Sequence, residues 1–590
     1  MKNAMKDVEK GNQEDEKNKS KVEETRLIPN SPEYEEKFGL YWSGTCYEPV
    51  DILGKLGIEE PRDMPYLNHV KRLSKNWTNL QQLVEFMAIG TTPLQSPYFK
   101  DGEREERVSR TKVTFIEFRP EKKPHVTPIT KHTELRETLN GLASETAIPP
   151  LRLFVVEDLS QQVIELLGAR FDIDPLFFRE QIEDNVWHNL RDTGAMPPSL
   201  TCSTRQRSWF RIRNMRLRYH KTDASFQAAK LEATAWNVSR RPDNDNNHWA
   251  HKDEVERDGS GKVVNKAVVS ILRTRTNIWI GKDKKSEDGT VGIILLDPTL
   301  KAGNPLWHDR TNWLPTTGMD EDSPPLPASN KTWHSDIVAM TSAYPWFEIE
   351  SGHTIGSQVL AVPTLYTICA EWLIVCDYVR TRLSQIEWEI EIPDVFRDKE
   401  KDDVRSKSQI IADSLKRLHT WRRHIPVFRD MVTEALQQAL PAAERLISPS
   451  STTEDAARIF DDIKPDFNRI LDNLKELQDR VDRLTEIVTS EINIEDSNQS
   501  REDNHNLTRL TWLATTFIPM SFISAFFSMN ESVAELKYTY GWFFLTAIPF
   551  TAICLFIARL VGGGKLGKHV MKKNFETKGK SLYNKYFKLE

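Results

Sequence analysis

A polar and acidic segment follows a long uncharged run near the C-terminus of this 590-residue chain. The run ends at Ser528-Met529-Asn530, and two carboxylates, Glu531 and Glu535, come soon after it. An asparagine amide can hydrogen-bond the water shell of a cation, and carboxylates raise the local concentration of cations. Mg²⁺ sheds its water reluctantly, so a polar ring suits it better than a dehydrating cage. These residue types predict chemistry with a hydrated cation, and an asparagine that merely caps a helix is the alternative.

Two uncharged runs must position this segment, and each is long enough to cross a membrane. Residues 510–529 and 541–558 would each span roughly the 30 Å hydrocarbon core as a helix. Both are apolar on every side, which favours membrane spans over buried core helices. Pro519 and Pro549 lie inside the runs, where neighbouring helices can compensate for the missing backbone donor.

The charges that flank these runs predict their orientation. Six lysines follow the second run: Lys565, Lys568, Lys572, Lys573, Lys578 and Lys580. The loop between the runs carries Lys537 against Glu531 and Glu535. The positive-inside rule therefore predicts a multi-pass membrane protein with both termini in the cytoplasm, and the plasma membrane is the favoured location.

A third apolar stretch, residues 359–376, is better interpreted as a core helix of the soluble region. It contains Pro363 and Glu371 and continues without a break into a charged helical segment. A third membrane span is the alternative.

The average over the whole chain is that of a soluble protein, with 28% charged residues and a mean hydropathy of −0.53, because the uncharged runs are confined to the C-terminal part. The net charge of −6 gives no indication of a nucleic-acid partner. Five cysteines occur without a CxxC pair, which favours reduced thiols over disulfides or a zinc knuckle. The sequence contains no phosphate-loop, HExxH or GxSxG motif, so it predicts neither an enzyme nor a bound cofactor. His248 and His251 lie among acidic residues, but a flexible polar loop explains them better than a zinc site.

These observations predict an α/β cytoplasmic domain, followed by long stalk helices and two C-terminal transmembrane helices. The boundaries are a disordered tail at 1–30, the α/β domain at 31–356, the helical stalk at 357–506, the two-helix membrane domain at 507–563 with spans at about 510–529 and 541–560, and a basic cytoplasmic tail at 564–590. Strands are predicted at 151–157, 208–213, 268–273, 277–281 and 291–296, and helical segments at 163–183 with a break at 172–175.

The stalk is predicted to contain helices at 363–392 and 402–439 and a third that runs from Pro465 into the first span. Apolar residues recur along that third helix with coiled-coil spacing: Phe467, Ile470, Leu474, Leu477, Val481, Leu484 and Val488. This seam can serve packing within one chain or self-association, and both interpretations stay open.

The first span also resembles the first transmembrane helix of the CorA superfamily, whose hallmark is Gly-Met-Asn at the outer end. Thr511, Pro519 and Phe527 match the threonine-rich start, the mid-helix proline and the aromatic residue before the motif. Residues 534–537 resemble the Pro-Glu-Leu-Lys loop of the family, and residues 171–176 resemble a segment of its cytoplasmic domain.

The sequence departs from the family motif at one position. The glycine of Gly-Met-Asn is Ser528 here, and serine ends a helix with positive φ less readily than glycine does. This substitution bears on two expectations for the pore, its ion selectivity and its ability to transport ions.

The resemblance implies a homopentameric funnel with the first span inside, the second span facing lipid and Asn530 in a ring at the outer mouth. One face of the first span carries the pore-lining candidates Leu510, Ala514, Ile518, Ser521 and Ala525, together with Ser528. Ile518 could gate by dewetting, and Ser521 would be a polar step, although small residues also serve close helix packing. Lys565, Lys568, Lys572 and Lys573 could form a basic ring at the cytoplasmic exit, or fix the topology and attract anionic lipid. Stalk acids such as Asp472, Asp479 and Asp482 could bind regulatory Mg²⁺, as the family implies, but a solvated helix face explains them as well and none is assigned.

The leading hypothesis is passive, gated movement of a divalent cation, Mg²⁺ first, through this pore. Two alternatives stay open: a non-conducting membrane-anchored scaffold or sensor of the same architecture, and a zinc-type transporter of the same superfamily.

Overall fold

The computed structural model describes residues 64–90, 103–119, 124–142, 151–182, 196, 198–238, 240, 242–244, 255–257, 263–283, 289–306, 319, 332–343, 357–391, 407–447, 453–528 and 538–561. The chain forms two compact units. The first comprises Met1–Glu400 and Asp413–Thr485, and the second comprises Lys401–Ala412 and Glu486–Glu590.

A mixed β-sheet organises the first unit. Its strands in the described residues are β1 (Lys112–Phe118), β2 (His125–Ile129), β3 (Leu151–Glu157), β4 (Trp209–His220), β5 (Asp243–Asn244), β6 (Val255–Arg257), β7 (Val263–Lys266), β8 (Val268–Lys282), β9 (Thr290–Leu296) and β10 (Asn304–Pro305). The order is β10-β4-β8-β9-β3-β1-β2, β5 pairs with β8, and β6 and β7 form a separate ribbon. Strands β3 and β9 pair in parallel, and the other pairs are antiparallel. Continuous apolar runs in β3 and β9 suit strands that are buried on both faces.

Fourteen α-helices occur in the described residues of the two units. They are α1 (Pro65–Ser74), α2 (Gln81–Ile89), α3 (Glu103–Arg110), α4 (His132–Gly141), α5 (Gln161–Phe171), α6 (Pro175–Ile182), α7 (Thr201–Thr204), α8 (Asp223–Ala235), α9 (Trp333–Ala343), α10 (Val362–Glu391), α11 (Lys407–Glu434), α12 (Leu440–Ile447), α13 (Thr453–Ser528) and α14 (Thr539–Val561). Short 3₁₀ turns occupy Thr78–Leu80 and Ser357–Leu360, and a π-helical turn occupies Ala435–Ala439. The predicted combination of an α/β sheet with long helices is confirmed.

Aromatic side chains form the centre of the main core. Phe154 of β3 lies between Phe115 and Phe171, with ring centroids 4.9 and 5.8 Å away. Phe171 in turn lies 6.1 Å from the ring of Trp279 on β8. These residues join helices α1, α2, α5 and α6 to one face of the sheet in a single apolar cluster.

The predicted break between two helical segments is confirmed. Helix α5 ends at Phe171, and Asp172 adopts φ 52°, a left-handed conformation that asparagine and aspartate tolerate better than most residues. Pro175 then begins α6, where its missing N–H is not needed.

Two predicted strand boundaries are wrong. Strand β4 continues to His220, and the segments predicted at 268–273 and 277–281 are one strand, β8. The intervening residues look like a polar break, but the Thr274 hydroxyl donates to the amide oxygen of Asn214 at 2.9 Å. Tertiary partners therefore allow the strand to continue where local polarity predicted a gap.

The three stalk helices pack together within the first unit. Side chains of α13 contact both preceding helices: Arg480 pairs with Glu387 of α10, and Gln478 accepts from Arg429 of α11. All seven seam residues of α13 are at most 4% exposed. Packing within one chain is thus confirmed for this seam, and its role in self-association stays a prediction.

The predicted stalk boundaries need two corrections. The helix predicted to end at 439 passes through the π turn into α12 and reaches Ile447. Pro441 lies two residues after that turn and has no N–H for the carbonyl of Gln437, a local mismatch that a wider turn accommodates. Helix α13 begins at Thr453, before Pro465, and then runs unbroken to Ser528 as predicted.

Candidate ion pathway

Three helices in the described part of the chain are long and apolar enough to cross a membrane. In α10 the most apolar window is 72% buried, whereas the windows in α13 and α14 are 6% and 11% buried. The interpretation of α10 as a core helix is therefore supported. The α13 and α14 windows, by contrast, need an apolar surrounding that the chain itself does not supply.

The size of that exposed surface is considerable. Leu510, Phe517, Ile518, Phe522 and Phe526 of α13 are each 60–65% exposed. Burying one such side chain is worth roughly 1.5–3 kcal/mol, and contiguous apolar surface of this kind marks a membrane or an interface. A bilayer provides the missing environment.

The two apolar helices contact each other in the second unit. Phe522 stacks on Phe550 with ring centroids 6.4 Å apart, and Phe527 meets Phe543 edge-on at 6.2 Å. The residue numbers of the contacting side chains increase along α13 while they decrease along α14, so the two helices are antiparallel. Pro519, Ala547 and Thr551 are buried along the same contact, where small residues allow backbones to approach closely.

Hydroxyl groups in these helices have partners on their own backbone. Thr511, Thr515 and Thr516 donate to the carbonyl oxygens of residues 507, 511 and 512 at 2.7–2.9 Å. Ser521 donates to Ile518 O at 2.9 Å, and Thr551 donates to Ala547 O at 2.7 Å. Such internal satisfaction is what a segment without access to water requires.

The pore-lining candidates share one face of α13. Leu510, Ile518, Ser521, Ala525 and Ser528 are exposed, and Ala514 is half-buried. At about 100° per residue, the centre of this face lies about 180° from the midpoint between Pro519 and Phe527, which face α14. The predicted pore face is therefore opposite the face that contacts α14.

Several predicted site residues lie outside the described residues. They are Met529, Asn530, Glu531, Glu535, Lys565, Lys568, Lys572 and Lys573, together with His248 and His251. The tails predicted at 1–30 and 564–590 also lie outside them.

The stalk acids are partly explained by ion pairs. Asp472 lies 2.9 Å from Lys475, and Asp482 lies 3.3 Å from Arg422. Among the described residues no group of three or more His, Cys, Asp or Glu side chains is placed to hold a metal.

The arginines of β4 and β8 were not among the site residues predicted from the sequence. Arg211, Arg213 and Arg275 line a cavity together with Glu434, which is more than 150 residues away in the chain from each of them. The alternating arginines of the segment WFRIRNMRLRYH were the available signal, because alternate residues of a strand share a face.

Comparisons with known proteins show what parts of this chain are similar to. Residues 360–561 match the model of the family described as CorA-like Mg²⁺ transporter protein. The cobalt/magnesium transport protein CorA of Thermotoga maritima is 25% identical over 131 residues, which cover 22% of this chain and 35% of that protein. The match thus spans about a third of the relative's length.

Two solved structures are also similar. The CorA magnesium transporter from Methanocaldococcus jannaschii is 12% identical with a TM-score of 0.36, over 76% of this chain and 97% of that one. The full-length CmaX protein is 10% identical with a TM-score of 0.30, over 76% and 98%. Residues 360–561 of this chain are thus similar to the CorA-like family.

Proposed function

We propose that this chain is a CorA-like membrane channel or transporter that moves divalent metal cations, Mg²⁺ first, through an oligomeric pore lined by the C-terminal part of α13. One observation carries the proposal. The face from Leu510 to Ser528 is exposed on a helix whose opposite side packs on α14. This face is free to meet further copies of the chain.

Several copies are needed because two helices cannot enclose an aqueous path. The superfamily resemblance supports five copies, with α13 inside and α14 toward lipid. The packing of Phe527 on Phe543 fits that order, since it leaves the opposite face of α13 toward the axis.

Aromatic side chains support the position of the bilayer. Trp512 lies near one end of the apolar part of α13 and is 43% exposed, and Tyr540 and Trp542 at the start of α14 are 85% and 53% exposed. Trp and Tyr concentrate at membrane interfaces. Trp512 and Ser528 are about 24 Å apart along the helix, which approaches the thickness of the hydrocarbon core. The large N-terminal region and the C-terminus then lie together in the cytoplasm, as the lysines after α14 favour.

The proposed selectivity element is a ring of Asn530 amides at the outer mouth. Such a ring hydrogen-bonds the water shell of Mg²⁺, which that ion gives up reluctantly. Glu531 and Glu535 of each copy surround the entrance and concentrate cations there.

The narrow part of the path is apolar with one polar step. Ile518 is 65% exposed on the proposed pore face, and copies of it would form a constriction that dewets when narrow. Ser521 lies about one turn further along α13. Its hydroxyl group donates to Ile518 O, so its oxygen lone pairs remain available to accept hydrogen bonds from the water shell of a passing ion. Ala514 and Ala525 leave room for the water shell.

A flux assay tests this function. Purified protein is reconstituted into liposomes that contain a Mg²⁺-sensitive dye. External Mg²⁺ should enter these liposomes, and Asn530→Ala should reduce the rate of entry to background. Asn498→Ala is the matched control, because Asn498 is an exposed asparagine of α13 outside its apolar part. Equal flux in Asn530→Ala and the unaltered protein would remove the asparagine ring from the mechanism.

Ser528 in place of the motif's glycine favours a second candidate, a non-conducting scaffold or sensor. That candidate predicts no flux for any divalent ion, and flux in Ser528→Gly if the remaining path is intact. A zinc-type transporter instead predicts that Zn²⁺ enters faster than Mg²⁺ and competes with it in the same liposomes.

A further inference from the structure

A polar cavity of about 440 Å³ lies in the first unit, between β4 and β8 of the sheet and the end of α11 with its π-helical turn. Four arginines (Arg207, Arg211, Arg213 and Arg275) line it together with Glu180 and Glu434. Its volume is within the range of small-molecule binding sites. The proposed ion pathway does not use any of these residues.

The sheet brings like charges together in this cavity. Arg213 of β4 is directly opposite Arg275 of β8 in the antiparallel register. Arg211 precedes Arg213 by two positions on the same strand and therefore lies on the same face. Like charges directly opposite each other destabilise a strand pair unless nearby acceptors offset them. Arg275 donates to the backbone oxygen of Glu180 at 2.9 Å, and Arg213 donates to Glu434.

One carboxylate already serves two of these arginines. Glu434 accepts from Arg211 at 2.8 Å through one oxygen and from Arg213 through the other. Burial alone would raise the pKa of Glu434, but the two guanidinium groups and their hydrogen bonds lower it below its ordinary value. The carboxylate is therefore ionised at neutral pH and offsets one of the two positive charges.

Among the described residues that line the cavity, positive charges outnumber negative ones. Its four arginines face three carboxylates, those of Glu180, Glu434 and the exposed Asp430. Glu180 is engaged by Arg207 at 2.7 Å and by the indole N–H of Trp209 at 3.3 Å. Guanidinium groups present planar pairs of donors that match phosphate oxygens, and a phosphate group brings more negative charge and more acceptor oxygens to an arginine cluster than a simple carboxylate does.

The wall opposite the arginines has features of a ligand site. The π-helical turn Ala435–Ala439 contributes Gln437 and Gln438, whose amides offer donors and acceptors. Single π turns inside helices are frequent at functional sites. Phe210 and Met196 add apolar surface at the rim.

We propose that this cavity binds a soluble phosphorylated small molecule of nucleotide size, whose phosphate groups contact Arg211, Arg213 and Arg275. The ligand adds to the charge compensation that Glu434 provides. It would tie the sheet to the end of α11, independently of ion movement.

Equilibrium binding of ATP, pyrophosphate and acetate to full-length protein in phosphatidylcholine nanodiscs tests this site. ATP and pyrophosphate should bind and compete with each other, and acetate should not displace them. Arg213→Gln and Arg275→Gln should each weaken ATP binding by about tenfold or more, the loss expected for a charge-assisted hydrogen bond. Arg216→Gln is the matched control, because Arg216 lies on the other face of β4, over the ring of Trp333.

A variant with the opposite effect keeps the test independent of folding defects. Glu434→Gln removes the competing carboxylate and should strengthen ATP binding, whereas a general loss of structure would weaken it. The proposal is overturned if millimolar ATP and pyrophosphate do not bind, or if the arginine variants bind as well as the control. Tighter binding by Arg213→Gln than by Glu434→Gln would also overturn it. Asn530→Ala should bind ATP normally, so a failure of transport and a failure of this site give different results.

Discussion

Phe522 of α13 stacks on Phe550 of α14, with the two ring planes only 29° apart. This contact and the edge-on pair Phe527–Phe543 fix which side of α13 meets its neighbour in the same chain. The remaining exposed side carries the residues proposed to line the pore, and the predictions below separate these two sides.

The contact between the two apolar helices should be sensitive to side-chain volume. Ala547 is fully buried against α13, so Ala547→Leu should overpack the contact and cost about 1–3 kcal/mol. Ala552→Leu is the control, because Ala552 is exposed on the same helix. Thermal unfolding in nanodiscs should show a lower Tm for Ala547→Leu alone. Equal Tm values would contradict the packing.

The exposed face of α13 should meet the same face of another copy. In a background with all five cysteines replaced by serine, Ala525→Cys should give covalent dimers on mild oxidation in membranes. Thr551→Cys is the contrast, since that side chain is buried between α13 and α14 of one chain. Gel electrophoresis without reductant reads the result, and cross-linking through residue 551 but not 525 would reverse the assignment of the two faces.

Ile518 should act as a hydrophobic barrier. Because a polar side chain keeps a narrow passage hydrated, Ile518→Ser should raise the resting Mg²⁺ flux severalfold. Ile548→Ser makes the same chemical change on α14, where the side chain is also 60% exposed, and should leave the flux unchanged. A flux that rises equally in both variants would point to general disruption of the membrane domain.

A buried carboxyl group in the sheet domain should make stability depend on pH. Burial raises the pKa of Asp158 from 3.8 to about 7, although the backbone N–H groups of Asn237 and Val238 donate to it and act in the other direction. Because the folded-state pKa lies above the unfolded value, the contribution is fully present below pH 3.8 and is lost as the pH rises toward about 7.

Asp158→Asn should therefore flatten the pH dependence of the Tm between about pH 4 and pH 7. Asparagine also tolerates the positive φ of 62° at this position. Asp158→Ala is the comparison, since it leaves the two backbone donors without their acceptor and should be less stable at every pH. An unchanged pH profile in the asparagine variant would show that another group titrates.

The parts of the fold that the sequence predicted are those with a strong local pattern. Strand β3 was predicted with its observed boundaries because residues 153–156 form a continuous apolar run that covers both faces of the strand. The polar residues near Thr274 concealed the length of β8, since their partners lie across the sheet. The 3–4 residue spacing grouped the candidate pore residues on one face, but a helix apolar all round gives no signal for which side meets α14.

Contacts between residues that are far apart in the chain could not be predicted from local sequence patterns. Glu434 and Arg213 are 221 positions apart, so only the fold reveals that they share a cavity. Asp158 and Val238 are 80 positions apart, and again only the fold reveals the hydrogen bond between them.

The threonines at the start of the first apolar helix have a consequence for how the segment meets lipid. With each hydroxyl proton directed back to the carbonyl one turn earlier, Thr511, Thr515 and Thr516 present mainly a methyl group outward. Residue-by-residue hydropathy therefore understates how readily this stretch partitions into the acyl chains, and valine at these three positions should insert with little change in partitioning.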